Sequence, residues 1–177
     1  MNKNMNEFKQ NIKSYYLPIC LILILSFSRL IPHPDNFTPI IAVAIMSSYF
    51  FNNINFSYLV VLFSMLIVDF FIGFYSHMLF VYLPLILIVL IFFKISKKTN
   101  FKNLFIFGFS GSLIFFIISN FGVWLVGGLY ERNINGLIEC YFMAIPFFKN
   151  TFLSTLIFSY SAFIVYRSSN KYFSIRY

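Results

Sequence analysis

The chain has 177 residues, 60% of them hydrophobic and only 10% charged, with a net charge of +8 and a mean hydropathy of +0.83. An ordinary soluble domain carries roughly 25% charge, and a domain of this length still leaves about a third of its surface in water. That excludes a soluble globular domain: a bilayer must supply the burial, and one domain is expected at this length. In such a chain basic residues mark cytoplasmic loops, so the positive charge does not call for a nucleic-acid partner.

Residues 1–14 carry Lys3, Lys9 and Lys13 ahead of an apolar stretch. This start mimics a secretory signal, but no small-x-small cleavage site follows, so it reads as a cytoplasmic segment before a retained first helix. A span needs about 20 apolar residues, with roughly 17 to 25 tolerated. The predicted spans are 15–30, a short 38–51 with Pro39 in its first turn, 56–74, 77–93, 103–128 and 151–166. Before the last comes an apolar stretch, 136–148, interrupted by Pro146. The proline predicts an interfacial or re-entrant half-helix there, with the kinked outer end of a long sixth helix as the alternative.

The expected fold is therefore an all-α membrane protein of about six transmembrane helices. It divides into a cytoplasmic segment 1–14, one transmembrane domain 15–167 and a basic cytoplasmic tail 168–177. Ten Lys and Arg residues fall on one side, in the N-terminal segment, the loop from Lys94 to Lys102 and the C-terminal tail. Arg29, Arg132 and Lys149 fall on the other. With an even number of spans, this bias places both termini in the cytoplasm of a multi-pass inner-membrane protein.

The connections on the outer side are the richer ones. The stretch RLIPHPDNFTP at 29–39 holds three prolines, which fix φ and remove donors. A stiff connector of this kind can present Arg29, His33, Asp35 and Asn36 at defined positions; the plainer reading is a rigid turn wetting the headgroup zone. Asp69 lies one to two turns from the outer end of the third span. A carboxylate at such depth costs about 2.5–3.5 kcal/mol at the bilayer centre and less near an edge, so it needs a partner or a wet cavity. Arg29 is the expected partner, either as a structural ion pair or as part of a binding site. Asn120 is placed to bridge helices or read a ligand, Trp124 to anchor at the interface or stack on a ligand, and Glu139 to add an outer polar group. Gly108, Gly111 and Gly122 suit close helix approach. Cys20 and Cys140, one in a span and one in a predicted connection, are not expected to pair. No metal-ligand spacing, nucleophile elbow, HExxH or phosphate-binding glycine loop is present, so no cofactor, metal or enzymatic activity is expected.

The string at 29–39 resembles the signature of an uncharacterised bacterial integral-membrane family, a domain of unknown function. Further segments match in order: DFFIGF at 69–74 with Met78, Val81 and Tyr82; FFIISNFGVW at 115–124; GLIECY at 136–141; and AIPFFKNT at 144–151. Together they cover roughly residues 27 to 160. In the family's form a His follows Gly-Phe directly, where Tyr75 stands here and the His is at 77. Gly-Asp also tends to follow the Asn-Thr pair, where Ser154 and Thr155 stand here. In size and layout the chain is similar to the substrate-binding S components of energy-coupling-factor vitamin transporters, although an Ala-xxx-Ala pattern on the first helix is missing. That similarity implies capture of a vitamin, precursor or metal complex from the outer side, with a coupling subunit and ATPases as partners beside the lipid bilayer. The substrate-contacting candidates are then Arg29, His33, Asn36, Asp69, Asn120, Trp124 and Glu139. The alternative is a structural or assembly subunit in which the same residues are interhelical contacts. A third reading, an intramembrane enzyme acting on lipid, would need Asp69 with His33 or His77 as its acid–base set.

Overall fold

The structure, a computed structural model, describes residues 16–174. The predicted cytoplasmic segment 1–14 and the end of the tail lie outside them. Among the described residues the fold is six helices and no strand: α1 (Tyr16–Leu30), α2 (Ile40–Phe50), α3 (Ile54–Ile72), α4 (Met78–Ile95), α5 (Phe101–Val126) and α6 (Ile134–Ser174). The last turn of α1, Ser28–Leu30, is a 3-10 turn. Connections 31–39, 73–77 and 127–133 gather at one end of the bundle, here called the connector end.

Four of these helices, α3 to α6, are long and apolar enough to cross a membrane by length and composition. Their starts have local causes. The Asn53 side chain accepts the Phe56 N–H at the head of α3, and Asn100 accepts those of Lys102 and Asn103 at the head of α5. Asn133 accepts the Gly136 N–H at the head of α6. Each side-chain oxygen satisfies a donor that no preceding turn can reach.

Helix α2 sits at the centre. Every one of its residues except Tyr49 is buried, as expected of a helix that is apolar all round. Pro39 stands at its cap position, one residue before the expected first turn.

An apolar core that includes Ile41, Ile45, Leu85 and Ile88 also takes in polar side chains. Small hydroxyl residues lie inside: Ser47, Ser48, Ser57, Ser64, Ser112, Ser154 and Thr155 are all nearly inaccessible. Large apolar residues lie outside in stripes three and four apart, such as Leu59, Phe63, Leu66 and Phe70 on α3 and Phe105, Phe109, Leu113, Ile117 and Phe121 on α5. Most of these hydroxyls return their protons to backbone carbonyls, as from Ser64 to Val61 and from Ser48 to Ala44, while Ser112 donates to the Thr155 hydroxyl. Small residues inside let backbones approach, and apolar faces outside meet lipid.

Helix α6 corrects the reading of 136–148. No break separates that stretch from the last span; both belong to one 41-residue helix with Pro146 inside it, about 60 Å long. The proline does not end the helix because α5 clamps it on both sides. Tyr141 donates to the Ile117 carbonyl, and Phe148 packs edge-on to Phe116 with ring centroids 5.2 Å apart. Cys140 accordingly lies in a helix and not in a connection; it is buried and free, while Cys20 is exposed and free. Helix α6 also continues through Ser174, into the predicted tail.

The expected role of the glycines holds. A Cβ on Gly111 would meet Ile41 and Ile45 of α2 at 3.1 and 3.2 Å, and one on Gly122 would stand 2.2 Å from the Phe80 Cβ. The Phe80 Cβ is fixed to the α4 backbone and cannot swing away, so Gly122→Ala must separate α4 from α5. Overpacking of this kind costs about 1–3 kcal/mol. Gly122→Ala is expected to lower the melting temperature in detergent, whereas Gly128→Asn, in a connection with open space around it and at a φ of 73° that Asn tolerates better than most residues, is expected to cost less; equal losses would contradict the close α4–α5 contact.

Candidate functional site

Asp69 and Arg29 meet at the connector end. Arg29 Nη1 lies 2.9 Å from Asp69 Oδ1, with 10% of the arginine side chain and 0% of the aspartate accessible. The ion pair alone holds Oδ1, while Tyr82 Oη donates to Oδ2 at 2.7 Å. Arg29 Nη1 also reaches the Met65 sulfur at 3.3 Å. The pair thus ties α1 to α3, and Tyr82 ties α4 to both. In so dry a place a lone charge would cost several kcal/mol, and mutual neutralisation with added hydrogen bonds removes most of that penalty. Tyr82 is a partner that sequence reading missed. Its signal was present, because a buried carboxylate has two oxygens and Arg29 accounts for one.

The connector 31–39 is folded back onto α6. Asn150 Nδ2 donates to the Asp35 carbonyl at 3.0 Å, Thr151 Oγ1 to that of Asn36 at 3.4 Å, and Ser154 Oγ to that of Thr38 at 3.0 Å. The Phe37 N–H closes a turn on the Pro34 carbonyl. Asn36 within that turn has φ 57°, a left-handed conformation that Asn tolerates better than most residues.

Between this connector, α4, α5 and α6 lie two cavities that share a wall. The first, about 200 Å³, is bounded by Arg29, Asn36, Thr38, Ile40, Tyr75 and His77, and by Phe115 and Thr151. The second, about 130 Å³, is bounded by Ser119, Asn120, Phe116, Phe147 and Phe148; Asn36, His77, Val81, Phe115 and Thr151 belong to both. The side chains of Asn36, Thr38 and His77 make no hydrogen bond among the described residues. Burial pushes the His77 imidazole below its usual range, so at neutral pH it is uncharged and offers one donor and one acceptor. Tyr75, its ring tilted against that of His77 with centroids 4.9 Å apart, is pushed up to about 12 by burial and by the Asp69 charge, which outweigh the opposing effect of Arg29; it stays a neutral hydroxyl.

The predicted contacts divide. Arg29, Asn36 and Asn120 line these cavities, and Asp69 stands behind Arg29. His33, Trp124 and Glu139 line neither. His33 is exposed and turned to the Pro34 carbonyl. The Trp124 indole donates to the Glu131 carbonyl at 2.9 Å, closing the α5–α6 connection, and Glu139 is exposed on α6. Asn120 Nδ2 is turned to the Phe116 carbonyl at 2.8 Å, which leaves its amide oxygen for other partners. Thr38, Tyr75, His77, Phe115 and Thr151 also line the wall and were not among the predicted contacts; only His77 had been singled out, as a candidate acid–base group. Among the described residues no three His, Cys, Asp or Glu side chains cluster to hold a metal ion.

Four apolar helices of spanning length, lipid-compatible stripes outside and small polar residues inside define a helical membrane protein. The chain belongs to a family of unknown function, DUF6580, whose model matches residues 9–175. No curated protein and no solved structure matches it.

The pair and its tyrosine make a graded prediction. Asp69→Asn leaves Arg29 buried without its counter-charge, expected to cost about 3–5 kcal/mol. Tyr82→Phe removes one hydrogen bond to a charged group, about 1.5–3 kcal/mol. Melting temperatures in detergent should fall in that order, and an Asp69→Asn protein as stable as the parent would show that the pair does not hold the helices.

Proposed function

We propose that this protein is a multi-pass protein of the bacterial inner membrane that captures a small micronutrient from the outer side, in the manner of an S component. The micronutrient is a vitamin, a vitamin precursor or a metal complex. The observation that carries the reading is the pair of adjoining cavities at the connector end. They mix apolar walls with a few convergent polar groups, as small-molecule sites do.

The charge distribution supports the orientation. The connector end holds Arg29, neutralised by Asp69, with Arg132 and Lys149, whereas Lys94, Lys98, Lys102 and Arg167 lie at the opposite end. By the positive-inside rule the connector end faces outward and both termini face the cytoplasm. In a background lacking Cys20 and Cys140, Asp35→Cys should react with a membrane-impermeant thiol reagent from outside intact cells. Ser96→Cys should react only in inverted vesicles; the reverse pattern would turn the protein over. Helix α1, and α2 as a buried half-length helix, complete the six spans in this reading. Transport across the membrane then falls to partners, a coupling subunit and ATPases, because the chain has no phosphate-binding loop of its own.

A second reading, a structural or assembly subunit, is favoured by one observation. Ile134, Ile138, Phe142 and Ile145 form an exposed stripe on α6, beyond the level at which Thr151 and Ser154 meet the connector.

A thermal-shift screen of the purified protein against vitamins, precursors and transition-metal complexes separates the two. A ligand at 100 times its Kd stabilises the native state by about 2.7 kcal/mol, so a true ligand raises the melting point in a dose-dependent way. No shift with any compound, together with collapse of the empty protein on Asp69→Asn, would favour the assembly subunit.

A further inference from the structure

We infer that the site takes a small organic anion, its carboxylate held by Arg29 and its apolar part lying among Phe115, Phe116 and Phe148. This rests on the reading of the cavities as a capture site, and it names the ligand's chemistry.

The first ground is the arginine. A guanidinium has five N–H donors in a planar fork. Here Nη1 serves Asp69 and Met65, while Nη2 and Nε make no hydrogen bond among the described residues. The side chain is nine-tenths buried and forms part of the wall of the 200 Å³ cavity. Donors left idle at that depth lack an oxygen acceptor, and a carboxylate presents two in the geometry an arginine edge fits.

The start of α2 meets the same cavity at Thr38 and Ile40 without adding backbone donors to it. The first i→i−4 bond of α2 runs from the Val43 N–H to the Pro39 carbonyl, and no side chain caps its first turn. Of its first-turn residues only Ile40 lines the cavity, beside Thr38; Ile41 and Ala42 are fully inaccessible, so their free N–H groups do not reach it. The starts of α3 and α5 are closed by asparagine side chains, whereas α4, like α2, has no side-chain cap.

The sign of the remaining groups agrees. Neither cavity is lined by a carboxylate. Asp69 is consumed by Arg29 and Tyr82, and Asp35, Glu131 and Glu139 are exposed elsewhere. His77, Asn36 and Thr38 supply neutral donors and acceptors without a protein partner. A cation would find no free counter-charge here, whereas an anion finds the idle donors of Arg29. Size is bounded too. About 200 Å³ and 130 Å³ fall below the roughly 300–1,000 Å³ usual for drug-sized ligands, so the anion is compact, and the aromatic wall of the second cavity favours a flat apolar body.

The test uses three isosteric probes on the purified full-length protein at neutral pH: benzoate, benzamide and benzylamine, read by melting temperature and by calorimetric titration. Benzoate is expected to bind saturably and on the order of tenfold tighter than benzamide, since bonds to an ionised acceptor are about twice as strong as neutral ones. Benzylamine is expected not to bind. The double variant Arg29→Gln with Asp69→Asn removes both charges together, which spares the fold the unpaired charge that a single change would leave; it should abolish the preference for benzoate over benzamide. Equal binding of benzoate and benzamide, or a preference that survives in the double variant, overturns the anion assignment and leaves the capture reading standing. A neutral or cationic hit in the micronutrient screen with no benzoate binding does the same. Absence of binding by every probe and every micronutrient overturns both.

Discussion

Helix α2 covers only about half of a bilayer's hydrocarbon thickness, and the surrounding elements are arranged around that shortfall. Its 11 residues rise about 16 Å, against a core of about 30 Å. Being buried on nearly every side, it cannot be extended by lipid contact; the space beyond its N-terminus must be filled by something else. Part is filled by the proline-rich connector, which turns inward and is stitched to α6 through Asn150, Thr151 and Ser154. The remainder is the cavity. A longer α2 would occupy it, and a flexible connector would let it collapse or flood.

The same region accommodates the least lipid-compatible group of the described bundle. Asp69 is fully inaccessible, and both of its oxygens are engaged, one by Arg29 and one by Tyr82. Three helices are thereby joined at one point near the mouth of the cavity. Arg29 contributes to structure through one nitrogen and to the cavity wall through the rest of its fork, so the choice between a structural pair and a binding residue is not exclusive. Removing either charge alone would disturb both roles, which is why paired substitution separates them.

Much of the architecture was legible in the chain before folding. The apolar run lengths located all six helices, because a bilayer sets span length directly and leaves few alternatives. Asp69 announced the need for a counter-charge through its depth, and Arg29 stood at the matching level. Asn36 and Asn120 were legible as polar groups placed among apolar ones. Pro146 misled, because a proline's local effect on a helix was weighed without the α5 side chains that brace α6 on either side of it. Trp124 and Glu139 were assigned to the site as a stacking ring and an outer polar group; in space Trp124 closes its own connection and Glu139 is exposed and lines neither cavity.

Composition, hydropathy and the positions of a few charged residues determined by themselves that this is a helical membrane chain, roughly where its helices lie and that its polar residues gather at one end. Those properties are additive along the chain, and a bilayer reads them one segment at a time. Only the tertiary structure decided that α2 is central and buried, that α6 is continuous, that Tyr82 completes the Asp69 site and that Thr38, Tyr75, His77 and Thr151 face a common cavity. These depend on which helix faces are brought together, and that is set by close packing across residues far apart in sequence, as between Gly122 and Phe80 or Ser112 and Thr155.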